Sequence, residues 1–188
     1  MGRAPARILS AAALLPAAAV LALAGCGSSS APPLPPALAG SAVAYLPSHL
    51  SRVTTTDLEQ DTTLPGMAGR LSGWGYVSGA ERSFQGTSKR LEVVVARTLD
   101  FRSAAGARGF VRFVGTHAAA YVGQVPQVRP LRQAGRAGVL IVEPQCACHM
   151  AEPALLAVVS SGSRVSWLEI NGPAATAAAL KALLTRMP

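Results

Sequence analysis

Lysine is almost missing from this chain. Of its 17 basic residues only Lys89 and Lys181 are lysines, and the rest are arginines. The cations are also scattered, with no run of adjacent basic residues longer than Lys89-Arg90. A nucleic-acid surface clusters its charge and interleaves aromatic rings with it, so no nucleic-acid partner is expected. Catalytic signatures are absent too: the chain has no Gly-x-Ser-x-Gly and no His-Glu-x-x-His. The stretch "GWGYVSG" (73–79) comes near a dinucleotide fingerprint. Its final spacing is wrong and it leads into strand-like sequence, so turn glycines account for it. We therefore expect neither enzymatic activity nor a bound cofactor.

What is present bounds the rest. A length of 188 residues suits one domain with room for a core. Half of the residues are hydrophobic, but much of that excess sits in the first 25. The formal charge is +8, and the field of a cationic protein draws it toward anionic lipid or cell-surface polymers.

The leader is an address. "MGRAPAR" is a basic start carrying Arg3 and Arg7, and "ILSAAALLPAAAVLALAG" is an apolar run from Ile8 to Gly25, broken by Pro16. A basic segment, an apolar run and small residues before a cysteine form the layout of an export signal. The tetrapeptide Leu23-Ala24-Gly25-Cys26 resembles a bacterial lipobox. The resemblance implies cleavage between Gly25 and Cys26 and a diacylglycerol on the Cys26 thiol. Acyl groups such as palmitate would then hold the chain at the outer face of the cell membrane. One acyl chain binds a bilayer marginally, whereas two or more hold firmly. The other readings are an ordinary secretory signal with an incidental Cys26, and an uncleaved anchor helix.

Residues 1–25 thus form the signal peptide, and 26–44 a lipidated cysteine followed by a Ser/Pro-rich tether. Gly and Ser make that tether flexible, while the proline pairs at 32–33 and 35–36 extend it. Loss of Arg3 and Arg7 from the 17 basic residues leaves 15 against 9 acidic ones. The mature protein stays basic.

Residues 45–188 read as one domain. The first part, 45–72, is irregular with short helical turns, Thr56 and Asp57 being possible caps. In 73–84 strand content follows, with Trp74 and Tyr76 alternating and a bulge or bend at Gly79-Ala80. "LEVVVARTL" (91–99) is the clearest strand, because its β-branched residues and short length favour strand over helix. Ser103 caps a helix over 104–122 whose apolar face carries Ala107, Phe110, Val114 and Tyr121, and Gly123 ends it. A strand at 136–144 precedes a hairpin over 154–170 that turns at Ser161-Gly162-Ser163. A last helix starts at Pro173. The expected fold is α+β: an antiparallel sheet of about four or more strands in the order ββαββα, with two main helices packed on it.

The segment "LDFRSAAGARGFVRFV" (99–114), a strand feeding a helix, resembles the small α+β domains of actinobacterial lipoproteins, including the Mog1/PsbP-like type. That resemblance covers about residues 70–187. It implies a binding or accessory module, with no catalytic residues to carry over.

"PQCACHMAEP" (144–153) concentrates the remaining chemistry. Export puts Cys146 and Cys148 where thiols pair, and if Cys26 is lipidated they are the two left. In an extended strand their Cα atoms would stand about 6.6 Å apart, near the upper limit for a disulfide, and a turn between Pro144 and Pro153 shortens that. A small structural disulfide is the expectation, with free thiols, an intermolecular bridge or a redox pair as alternatives. Cys146, Cys148, His149 and Met150 are also soft or borderline ligands suited to Cu(I) or zinc. Zinc sites take two separated pairs, however, and the other histidines, His49 and His117, stand alone; His117 falls on the apolar face of the 104–122 helix, where a satisfied, partly buried histidine is expected. A cysteine nucleophile fares worse, since an adjacent His149 rarely reaches hydrogen-bonding geometry.

Asp57, Glu59 and Asp61 alternate in a polar segment, where a solvated loop or a helix start explains them more simply than a cation site. Trp74, Tyr76, Phe110 and Trp167 are either core or the walls of a pocket for an apolar ligand between sheet and helix. The expected function is a lipid-anchored, non-catalytic binding module. Its expected partners are the membrane, through the anchor, and a protein or apolar small molecule.

Overall fold

The computed structural model describes residues 49–85, 91–122, 125–143 and 153–187, all in the second of two units, Ala31–Pro188. The β-branched run "VVVARTLDF" forms β3 (Val93–Phe101) at the sheet's heart, where alternate side chains go to opposite faces. It lies between β2 (Tyr76–Gln85) and β7 (Arg164–Asn171), antiparallel to both. Strand β6 (Ala154–Ser161) leads into β7 through a tight hairpin in which Gly162 takes a positive φ of 56°. With β1 (His49–Val53), β4 (Gln127–Gln133) and β5 (Arg136–Val142), the sheet has, among the described residues, seven antiparallel strands in the order β1-β2-β3-β7-β6-β5-β4.

Helices cover both faces, which is why Leu155 to Val159 of β6 are all buried. On one face Leu99, Phe101, Val165 and Trp167 pack against Phe110 and Val114 of α3 (Ala104–Thr116). On the other, Val94, Ala96, Leu168 and Ile170 pack against Leu180, Leu183 and Leu184 of α5 (Ala177–Leu184). Two short helices precede β2: α1 (Thr55–Gln60) and α2 (Met67–Trp74). A four-residue helix, α4 (Ala119–Val122), follows α3.

The α+β class and the antiparallel pairing agree with the expectation, but the sheet is larger than about four strands. Both unexpected strands, β1 and β4, are edges. "HLSRV" is short and polar, and "QVRPLRQ" holds Pro130, which only an edge strand tolerates. Trp74 and Tyr76 do not alternate on one strand. Trp74 closes α2, Gly75 caps it with φ 73°, and Tyr76 opens β2. The register shift in β2 lies between Tyr76 and Ser78 rather than at Gly79-Ala80. Gly79 serves packing instead, since a Cβ there would stand 2.8 Å from Leu99 Cδ2 and 2.9 Å from Val53 Cβ. Thr54, not Thr56 or Asp57, caps α1, in a capping box whose third helical residue is Asp57. Ser103 caps α3 as expected, but that helix ends at Thr116. The last helix begins after Thr176 rather than at Pro173.

Candidate functional site

The break between α3 and α4 turns the chain back over the sheet. His117 sits at the break, its Nδ1 3.0 Å from the carbonyl oxygen of Phe113 and its ring stacked on Phe113 at 4.2 Å. This is the satisfied, half-buried histidine that its place on an apolar face suggested. Beyond it, Ala120 accepts a hydrogen bond from the Thr63 amide at 3.0 Å, and Tyr121 packs edge-on against Trp167 at 5.7 Å.

Beside these rings lies a cleft of about 230 Å³, walled by Asp61, Tyr121, Val122, Glu143, Ala154, Leu155, Leu156, Trp167 and Glu169. A second cleft, of about 260 Å³, is lined by Ser51, Arg52, Val53, Asp57, Gln60, Asp61, Glu81 and Arg97. Asp61 belongs to both walls. Arg97, in the middle of β3, reaches it with both terminal nitrogens and gives its Nε to Glu81 Oε2. The guanidinium also lies 5.6 Å from the centroid of the Trp167 ring, within cation–π range.

Burial sets the electrostatics here. It pushes the Glu169 carboxyl above the ordinary glutamate range; Arg97 opposes this, and Asp61, Glu143 and Glu81 add to it. Asp61 is also raised, because burial and the carboxylates of Glu81 and Asp57 outweigh its Arg97 partner. Tyr121 is raised in turn, first by burial and then by Asp61. The first cleft is therefore ringed and acidic: Asp61, Glu143 and Glu169 line it, and Arg97 is the cation that acts on Asp61 and Glu169. Among the described residues no three His, Cys, Asp or Glu side chains stand close enough to hold a metal ion.

The four aromatic candidates do come together, in one chain of rings. Trp74 meets Phe110 at 5.9 Å, Phe110 meets Trp167 at 6.4 Å, and Tyr76 joins through Phe101 at 5.7 and 5.5 Å. They fill the space between α3 and the sheet, and Phe110 is 0% exposed. Of the four, only Trp167 lines the first cleft. Sequence reasoning missed Glu143, Glu169 and Arg97. The signal was there: Glu169 and Arg97 are charges set in apolar strands, "VSWLEI" and "VVVARTL", and Glu143 directly follows one in "LIVEP". Cys26, Cys146, Cys148, His149 and Met150, like the signal and tether, lie outside the described residues. Among the described residues no helix is long and apolar enough to cross a membrane.

No family model matches the chain, and no curated protein matches it in sequence. Among solved structures it is similar to the extracellular domain of PknH from Mycobacterium tuberculosis. The identity is 14%, the TM-score 0.45, and the match covers 77% of this chain and 83% of that one. A likeness of that degree carries no argument about function.

Proposed function

We propose that the chain is a lipid-anchored binding module on the extracytoplasmic face of the membrane, without catalytic activity. Cys26 carries the anchor, residues 26–44 space the domain from the headgroups, and the cleft beside Trp167 meets the ligand or partner. The observation that carries this reading is that cleft. It is a concave site of mixed aromatic and carboxylate walls, set beside the packed rings of the core. Helices on both faces of an antiparallel sheet suit the small actinobacterial lipoprotein domains, Mog1/PsbP-like among them, that the 99–114 segment resembles. An apolar carrier is less well supported, because Trp74, Tyr76 and Phe110 occupy the space such a ligand would need. Copper or zinc binding at Cys146, Cys148, His149 and Met150 is a separate reading, tested by metal analysis of untagged protein.

The anchor is tested with labelled palmitate in a host that processes lipoproteins. The wild-type chain is expected to incorporate label and to sediment with membranes, and a Cys26→Ala variant to do neither. Equal labelling of the two would end the reading.

A further inference from the structure

We infer that the cleft beside Trp167 takes a small organic cation, an ammonium or guanidinium group carried next to a hydrogen-bond acceptor. This rests on reading the cleft as the binding site and names its ligand class. The first support is the distribution of charge. The chain is basic, yet of its nine acidic residues Asp57, Asp61, Glu81, Glu143 and Glu169 line the two clefts that share Asp61. Against them stand Arg52 and Arg97, and Arg97 is already committed to Asp61 and Glu81. Among the described residues neither Glu143 nor Glu169 makes a salt bridge. Carboxylates crowded without partners at the rim of an apolar core favour whatever cation enters.

The second support is independent of charge. Trp167 lines the cleft at 3% exposure, and its buried indole N–H has no acceptor among the described residues. A buried donor left unpaired is costly, and an acceptor on a bound molecule would satisfy it. The third support is shape. The acids are too far apart to close on a bare metal ion, whereas two rings in edge-to-face contact offer walls to an organic cation.

Calorimetric titration of the full chain in detergent tests this with four probes. Choline and arginine methyl ester are cations carrying an acceptor, 3,3-dimethylbutan-1-ol is the neutral isostere of choline, and benzoate is an anion. Saturable binding of either cation is expected, with the neutral isostere at least about tenfold weaker, the size of one charge-assisted contact. Glu169→Gln and Glu143→Gln should each weaken the cation to a similar degree. Equal or tighter binding of the isostere or of benzoate would overturn the cation assignment while leaving a binding cleft in place. No binding of any probe would likewise overturn the cation assignment, while the anchor and a protein partner for the cleft are tested separately. The isostere comparison needs no variant, so the assignment stays testable even where a substitution fails to fold.

Discussion

Arg97 on β3 holds Asp61, the residue that caps the C-terminal end of α1, in a two-nitrogen grip. The same guanidinium holds Glu81 on β2. One cation thus pins a helix and an adjacent strand to the centre of the sheet. Its loss leaves two partly buried carboxylates facing one another, whereas loss of Asp61's charge leaves one pair intact and relieves repulsion. Arg97→Met should therefore cost about 3 kcal/mol, toward the low end for breaking a buried pair, since these side chains are not fully dry. Asp61→Asn should stay within about 1 kcal/mol of the wild type. Urea unfolding midpoints compare them, and equal losses would refute the asymmetry.

Glu169 predicts an opposition between stability and binding. Burial raises its affinity for a proton in the folded chain above that in the unfolded chain. The folded state then binds more protons, so this residue's contribution is fully present below the ordinary glutamate value and lost as pH rises through the raised one. Glu169→Gln removes that loss. The variant should be more stable than wild type at pH 7, and the difference should shrink as the pH falls toward 4. Cation binding should run the other way, weakening in the wild type over the same fall in pH. Thermal unfolding at several pH values measures the first effect, and a variant less stable at pH 7 would contradict it.

These two residues also show what was legible in the sequence. The interior strands and α3 could be read because their apolar patterns and the Ser103 cap are local signals. The edges could not. Strands β1 and β4 have one strand neighbour each, and Ser51 and Arg52 of β1 and five residues of β4 are exposed, so these sequences carry little of the apolar alternation that marks a strand. Trp167 was singled out as a possible ligand wall, but Glu169, two residues along the same face of β7, was not. Its meaning depends on Asp61 and Glu143, which reach the same cleft from distant points in the chain. A site assembled by topology leaves no spacing to recognise.

Two helix glycines should respond in opposite ways to alanine. At Gly106, in the first turn of α3, an added Cβ would stand 1.9 Å from the backbone oxygen of Trp74. Backbone cannot swing aside as a side chain can, so α3 must move away from α2. Gly106→Ala should cost about 3 kcal/mol, the upper part of the overpacking range. At Gly69, within α2, nothing lies within 4 Å of the added methyl. Gly69→Ala should stabilise by about 0.5–1 kcal/mol, by lowering the freedom of the unfolded chain. Chemical denaturation of both variants is sufficient, and a neutral Gly106→Ala would mean that the α2–α3 contact is not close.

Strand β4 closes one end of the sheet, and an unguarded edge invites pairing with a second copy. Its guards are Pro130 at the strand's centre and the exposed Arg129 and Arg132 nearby. Proline supplies no N–H to an incoming strand, and like charges on two such edges repel. Pro130→Thr keeps strand propensity while restoring the donor, so the pairing of β4 with β5 should survive and monomer stability should change by less than about 1 kcal/mol. Self-association should rise, and should rise further when Arg129 and Arg132 are also replaced by serine. Sedimentation velocity across a range of concentrations reads the effect. If the triple variant sediments as the wild type does at every concentration, something other than proline and arginine protects this edge.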